Sequence, residues 1–291
     1  MSSYIPDRLI SCISRVTSIS SQTVDCLAEE IANASLNWVP SYTEYSSDGF
    51  SSLSLYSNDG DSSNTTIRDC IPKETAALSQ LPAMKSFLQD LGLELMWVRL
   101  NRVKSSGCLW EHRDYSELED RERFRLHLPL VTNPDAYMVL DGKYKIGLKR
   151  NALWRLNPAD IAHGVINDGQ ITRIHVIIDC YPNDRLRQLL SSEALEASWI
   201  DVLPSPDPDI YDTLMQKAVV LYHAGERQEA RELLLRTFYY YHQPEGKSLD
   251  LVRNLYEQVA AICMEESASW KERKYRFLKQ ETLENVLVPV G

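Results

Sequence analysis

The chain contains no Cys-x-x-Cys pair; its six cysteines, Cys12, Cys26, Cys70, Cys108, Cys180 and Cys263, are scattered from end to end. Zinc ribbons and thioredoxin-type redox motifs therefore have no support. In a chain of 291 residues this pattern reads as reduced thiols in a cytosolic protein. Long apolar runs are also missing, none approaching the roughly 20 residues that cross a bilayer. Met1-Ser-Ser-Tyr-Ile-Pro-Asp7 lacks the basic region and apolar core of a secretory signal. A cytoplasmic location is the expectation, and the sequons at Asn33 and Asn64 then carry no weight. Positive charge is in short supply too: 31 Lys and Arg face 41 Asp and Glu, a formal charge of −10. Such a surface repels phosphate backbones and anionic lipid, so neither nucleic acid nor a membrane is expected as a partner.

Apolar residues, by contrast, make up 44% of the chain, ample for a core without disulfides or a structural metal. Helical periodicity is expected over Val24–Asn33 and over 74–91, where Leu78, Leu81, Met84, Phe87, Leu88 and Leu91 recur near a 3.6 period. Between these, Phe50–Tyr56 alternates like a strand, and Asn58–Thr66 has the composition of a mobile loop. From Leu93 to Tyr181 the pattern turns to short strands: Leu93–Val103, Phe124–Val131, Tyr137–Leu140, Tyr144–Leu148, Leu153–Leu156, Gly164–Asn167 and Arg173–Asp179. Asp141-Gly142 marks a two-residue hairpin. This spacing predicts a jelly roll, a double-stranded β-helix of cupin-like form with flanking helices. After Pro204-Ser-Pro-Asp-Pro208 the chain reads as helical over Ile210–Ala224, Arg227–Tyr241, Leu249–Glu266 and Ala268–Glu284. The expected organisation is a jelly-roll domain over 1–203 and an α-helical domain over 204–291. One helical-repeat hairpin at 225–235 has no second copy, so a repeat array is not supported.

Chemistry concentrates in Trp110-Glu-His112-Arg-Asp114. On a strand, positions two apart share a face, so His112 and Asp114 could grip one ion. Alone the motif is weak, since six histidines among 41 acidic residues in 291 give about one such match by chance. A second histidine, His163, falls on a later strand. His, Asp and His on neighbouring strands form the facial triad of non-haem Fe(II) oxygenases, which leaves coordination positions open. Arg173 follows His163 across the Asn167-Asp-Gly169 turn, where its planar fork could clamp a carboxylate. Arg125 and His127 share one face of an otherwise apolar strand, and a polar pair aimed into a barrel needs a partner such as a dicarboxylate. His175 reads as structural support. His223 and His242 read as solvent-facing or capping, and Trp110, Trp154 and Tyr239–Tyr241 as packing residues. Arg113 points away from His112 and Asp114; with Arg102 and Arg155 it is a further candidate anchor for a substrate.

His112-Arg-Asp114, Arg125-Leu-His-Leu-Pro-Leu130 and His163 with Arg173 together resemble the aspartyl/asparaginyl β-hydroxylase superfamily of Fe(II)- and 2-oxoglutarate-dependent oxygenases. Within it, Asp48–Gly60, His112–Leu118 and the helical tail around Phe238–His242 are most similar to proline 3-hydroxylase-like amino-acid hydroxylases. The Gly-Glu turn usual before the last strands is replaced by Lys149-Arg-Asn-Ala152. The resemblance implies His112, Asp114 and His163 as iron ligands and Arg173 as the clamp for the distal carboxylate of 2-oxoglutarate. Arg125 and His127 would face the other carboxylate of the cosubstrate or that of the substrate, and Asn101 would assist Arg173. It further implies O2 as co-reactant, ascorbate as a supporting reductant in vitro, and hydroxylation of an unactivated C–H bond with release of succinate and CO2. A carboxylate at Asp114 leaves no vacant position for halide, which favours hydroxylation over halogenation. The leading expectation is a free amino acid, proline-like or other, as substrate. The rivals are a hydroxylase of Asp, Asn or another residue in a peptide or protein, and a non-catalytic jelly-roll binding protein.

Overall fold

A computed structural model of the chain describes residues 7–42, 46, 47, 49–115, 118, 121–243, 254, 255 and 258. In chain order the elements are α1 (Asp7–Cys12), β1 (Ile13–Ser18), α2 (Ser21–Asn33), β2 (Val39–Pro40), β3 (Phe50–Ser57), β4 (Lys73–Glu74), α3 (Pro82–Leu91), β5 (Glu94–Val103), β6 (Gly107–His112), β7 (Phe124–Val131), β8 (Ala136–Leu140), β9 (Tyr144–Ile146), β10 (Ala152–Leu156), β11 (His163–Asn167), β12 (Arg173–Tyr181), α4 (Asp184–Leu190), β13 (Ile200–Val202), α5 (Pro208–His223) and α6 (Arg227–Tyr240).

The strands form two sheets. The larger runs β1-β10-β7-β12-β5-β3-β2, with β4 on β3, and the smaller runs β13-β9-β8-β11-β6. Every pairing is antiparallel. Chain neighbours such as β6 and β7 sit in different sheets, which is the wiring of a double-stranded β-helix with a cupin-like core. The two inner faces meet around Phe50, Leu109, Met138, Leu140, Trp154 and Val165.

Each outer face is covered by helices. Leu126, Leu128, Val176, Ile178, Val98 and Leu100 of the large sheet pack against Val24, Leu27 and Ile31 of α2 and Met84 and Leu88 of α3. α2 begins where the Ser20 hydroxyl accepts from the Thr23 amide at 3.0 Å, an N-cap that satisfies an otherwise orphaned donor. The helix expected over 74–91 is shorter, because Pro82 stands in its first turn and a short 3-10 turn at Leu78–Gln80 precedes it. The Glu30 carboxylate of α2 caps it instead, accepting from the amides of Ala83 at 2.7 Å and Met84 at 2.9 Å. On the other side, Cys108, Trp110, Tyr137, Val139 and Ile166 of the small sheet share one apolar cluster with Tyr222, Leu234, Phe238 and Tyr239 of α5 and α6. The boundary expected at 203/204 therefore falls inside a packed layer. The helices expected over 249–266 and 268–284 lie outside the described residues, apart from 254, 255 and 258.

Asp141 and Gly142 both take positive φ, 48° and 60°, a primed turn closed by the Lys143 amide on the Leu140 carbonyl; because Leu140 pairs with Tyr144, the loop has three residues where two were expected. Asn58–Thr66 is not the loose loop its composition suggests. The Asp59 carboxylate accepts from the Asp61 amide at 3.0 Å, Asp61 from the Ser63 amide at 2.8 Å, and the Asn64 side chain from the Thr66 amide at 2.9 Å. Successive side-chain-to-backbone bonds of this kind fix a turn from within. β1, β6, β13 and α4 emerge beyond the expected elements. The five described cysteines, Cys12, Cys26, Cys70, Cys108 and Cys180, are free. No helix among the described residues is long and apolar enough to cross a membrane.

Candidate metal and anion site

His112 and His163 are cross-strand partners of β6 and β11, which brings their rings to a centroid separation of 4.3 Å. His112 Nδ1 lies 2.7 Å from the Trp110 carbonyl and His163 Nδ1 lies 3.2 Å from that of Ile161. A carbonyl can only accept, so each Nδ1 carries the proton and each Nε2 presents a lone pair. Those Nε2 atoms face Asp114, at 3.7 Å from Oδ1 for His112 and 3.9 Å from Oδ2 for His163. One ligand atom from each of the three residues lies within 4.8 Å of the others.

Asp114 reaches this position without a strand. β6 ends at His112, and Asp114 lies in the following loop, so the alternation read from the sequence is not what aims it. Its amide donates to the Pro158 carbonyl at 2.9 Å, fastening it to the turn that leads into His163. Its carboxylate is ionised: burial pushes the pKa up, but the Arg125 guanidinium holds it far below the ordinary carboxylate value. Burial lowers the pKa of His112, and it lowers that of His163 to about 3, helped by the neighbouring His112. Two neutral imidazoles and one carboxylate, at most a fifth exposed, form a donor set suited to Fe(II) or a similar divalent ion.

The cavity between the sheets has a volume of about 490 Å³, its solvent-open mouth included, and Asn101, His127 and Arg173 line it with the triad. Arg173 opens β12 and is 4% exposed. Burial alone lowers its pKa, to about 9, and no carboxylate among the described residues offsets that cost. Its Nη2 donates to His175 Nδ1 at 3.0 Å, which leaves the His175 proton on Nε2. Asn101, expected to assist Arg173, instead accepts from the Ser52 hydroxyl at 3.0 Å; it stands opposite His175 in the register. Both ring nitrogens of His127 are buried without a partner. Burial and the guanidiniums of Arg125 and Arg173 lower its pKa well below the usual value.

Arg125 lines the cavity as well, and it is bonded to carboxylates of the chain. It stands opposite Asp179 in the β7–β12 register, so its Nε donates to Asp179 Oδ1 at 2.7 Å and its Nη2 to Oδ2 at 3.3 Å. Its Nη1 donates to Asp114 Oδ2. All three nitrogens thus serve carboxylates of the chain. Arg99 donates to Asp179 as well, at 2.5 Å, and stacks 3.7 Å from the Trp97 ring centre. Asp179, Arg99 and Tyr115 were not singled out by sequence reasoning. The alternation Arg173-x-His175-x-Ile177-x-Asp179 carried the signal for Asp179, and Arg99-x-Asn101 carried it for Arg99. Tyr115 lies in the loop and had none.

The other candidate anchors stay outside the cavity. Arg102 projects from the opposite face of β5, bonded to Ser51 and 4.4 Å from the Trp38 ring centre. Arg155 pairs with Glu193 at 2.8 Å. Arg113 donates to the carbonyls of Ala159 and Asp160 at 3.3 and 3.1 Å. His223 is exposed at the end of α5. Trp110 packs on Tyr239 and Trp154 on Trp199.

A protein-family model described as Aspartyl/Asparaginyl beta-hydroxylase matches residues 21–182, which take in every strand but β1 and β13 and all the residues that line the cavity. No curated protein sequence matches the chain. Among solved structures, a Pseudomonas putida prolyl-4-hydroxylase is 15% identical, covering 61% of this chain and 97% of its own, with a TM-score of 0.38. HygX from Streptomyces hygroscopicus, solved with nickel and 2-oxoglutarate, is 11% identical over 62% and 89% of the two chains, with a TM-score of 0.35. A cupin 2 domain-containing protein from Halorhodospira halophila is 16% identical over 33% and 64%, with a TM-score of 0.22.

Proposed function

Since the chain belongs to the aspartyl/asparaginyl β-hydroxylase family, we propose that it hydroxylates an unactivated C–H bond of a free amino acid, using Fe(II), 2-oxoglutarate and O2 and releasing succinate and CO2. The observation that carries this reading is one cavity that joins a His-Asp-His donor set to a buried guanidinium with no counter-charge. A buried cation without a partner is costly unless an anion joins it. A dicarboxylate can place one end on Arg173 and its 2-oxoacid end toward the triad.

His112, Asp114 and His163 would hold the iron, which when bound supplies O2 activation coupled to oxidative decarboxylation of the cosubstrate. The chain's own residues bind, orient and exclude water. Arg173 holds the distal carboxylate, and His175 fixes the plane of its guanidinium by accepting one N–H. Tyr42, Phe50, Leu109, Met138 and Ile177 make the rest of the wall largely apolar, which keeps bulk water from the reacting carbon.

The charges that surround the cavity support a small anionic substrate. Around it three guanidiniums, Arg99, Arg125 and Arg173, face two carboxylates, Asp114 and Asp179. That surplus, together with a divalent ion, exceeds what one dicarboxylate neutralises. Arg99 Nε and both His127 ring nitrogens are buried at the wall with no partner; we assign them to the substrate carboxylate.

The test is mass spectrometry of an amino-acid pool incubated with the protein, Fe(II), ascorbate and 2-oxoglutarate. The expected result is one amino acid gaining an oxygen atom with matching succinate release. Succinate release stimulated by peptides and by no free amino acid would overturn the substrate class. Failure of the wild type to bind Mn(II) and 2-oxoglutarate at all would overturn the enzyme reading.

A further inference from the structure

We propose that Asp179 is a positioning residue for the metal site: it holds Asp114 in place through Arg125 and Tyr115. The inference rests on the metal-binding reading above and concerns a residue that would touch neither metal nor substrate.

Of the three triad residues, Asp114 is the one that no strand fixes. His112 and His163 are locked by β6–β11 pairing and by their Nδ1 bonds to carbonyls. Asp114 follows the end of β6, and the next residue, Tyr115, takes a φ of 71°. A non-glycine side chain in the left-handed region is held there only when its surroundings over-determine it. Here the surroundings are the apolar cluster of Met96, Trp97 and Tyr181, the guanidiniums of Arg123 and Arg125, and one buried carboxylate. The Tyr115 hydroxyl donates to Asp179 Oδ1 at 2.5 Å, and the Tyr115 ring lies 5.2 Å from the Arg125 guanidinium carbon.

Asp179 itself is completely buried on β12, opposite Arg125 of β7 and Trp97 of β5, with a register shift toward β5 between Asp179 and Cys180. It accepts from Arg125 through both oxygens, from Arg99 and from Tyr115. Arg125 is thereby oriented so that its third nitrogen reaches Asp114 Oδ2. With Oδ2 engaged, Oδ1 is the oxygen left toward His112. A carboxylate restrained in this way keeps Oδ1 toward His112 and Oδ2 toward His163. The rigid sheet thus reaches the loop-borne ligand along two routes: Asp179–Arg125–Asp114 by hydrogen bonds, and Asp179–Tyr115 by the adjacent backbone.

The test is titration of the purified full chain with Co(II), following both affinity and the visible d–d spectrum, in wild type, Asp179→Asn and Tyr115→Phe. Outer partners of metal ligands typically contribute about 10- to 100-fold in metal affinity. Asp179→Asn should weaken Co(II) binding within that range and alter the band pattern, because the Asp114 oxygen presented to the metal is no longer fixed. Tyr115→Phe removes one hydroxyl from the same anchor and should shift the spectrum in the same sense with a smaller loss of affinity. It keeps the proposal testable if Asp179→Asn does not fold. Wild-type affinity and an unchanged spectrum in folded Asp179→Asn or, failing that, in Tyr115→Phe would overturn the positioning role while leaving the metal site standing. Absence of Co(II) binding by the wild type would overturn the metal reading and this inference together.

Discussion

Arg173 and Asp179 project from the same face of β12 and are both buried, yet their electrostatic situations are opposite. Arg173 has no carboxylate partner among the described residues, whereas Asp179 is held by two guanidiniums and a phenol. One end of the strand is a site waiting for an anion, and the other is a completed internal ion cluster. The first predicts ligand binding and the second predicts stability.

At the open end, Arg173→Ala should weaken 2-oxoglutarate binding far more than metal binding. Truncating one partner of a buried hydrogen-bonded charge pair costs about 2–5 kcal/mol, or roughly 30- to several-thousand-fold in Kd. Calorimetric titration of the Mn(II)-loaded protein with 2-oxoglutarate measures it. Equal affinity in wild type and variant would remove Arg173 from the anion site.

The same uncompensated cation makes the protein a thermal reporter of its ligand. With Mn(II) present, 2-oxoglutarate at 100 times its Kd should stabilise the fold by about 2.7 kcal/mol. For a chain of 291 residues, with an unfolding entropy of about 2.1 cal/mol/K per residue, that corresponds to a Tm rise of roughly 4–5 °C. Succinate, which lacks the 2-oxo group, should produce a smaller rise at the same concentration. An unchanged Tm with saturating 2-oxoglutarate and metal would contradict the site.

At the closed end, the sign of the pH dependence follows from Asp179. Burial pushes its pKa up, but Arg125 and Arg99 outweigh that and hold it below the ordinary value. A carboxylate depressed in the folded state contributes stability that is present above its unfolded pKa, about 3.9, and is lost as pH falls below it. Asp179→Asn removes one partner of a buried ion cluster and should cost about 3–5 kcal/mol at neutral pH. The gap between wild type and variant should narrow as pH drops from 5 toward 3 in urea unfolding experiments. A gap constant over that range would mean that Asp179 is not the titrating group.

These relationships were unequally legible in the sequence. β7 and β12 follow from alternation because each turns one face to the helices and the other to the polar cavity, whereas β10 and β11 read as short, mainly apolar runs. The pairing of His112 with His163 needed only the motif and the hairpin count. What alternation could not supply was the conformation of the 113–115 loop, which depends on a contact with Asp179 far along the chain. The bonds of Arg125 within the chain were hidden for a related reason. Its polarity inside an apolar strand correctly demanded an anion, but two lay within the chain itself. The helices α5 and α6 read as a separate region because their periodicity starts after a proline-rich stretch. Their packing on the small sheet, with Phe238 and Tyr239 at its centre, ties them to the core.

That last contact can be tested where it touches the site. A Cβ on Gly164, the residue after His163, would lie 3.1 Å from Phe238 Cε1 and 3.2 Å from both the Glu111 amide nitrogen and the Leu109 carbonyl oxygen. The glycine is what lets β11 lie close to β6 with α6 pressed over both. Gly164→Ala should destabilise by about 1–3 kcal/mol through overpacking, and Phe238→Ala by about 3–5 kcal/mol through the cavity it leaves. In the double variant the alanine at 164 should cost less than it does alone, since Phe238 no longer resists it. Some cost should remain, because the two backbone atoms still do. Urea unfolding of the four proteins gives the coupling directly. Costs that add to within about 0.5 kcal/mol would show the two positions to be independent, and α6 would then not be seated over the strand that carries His163.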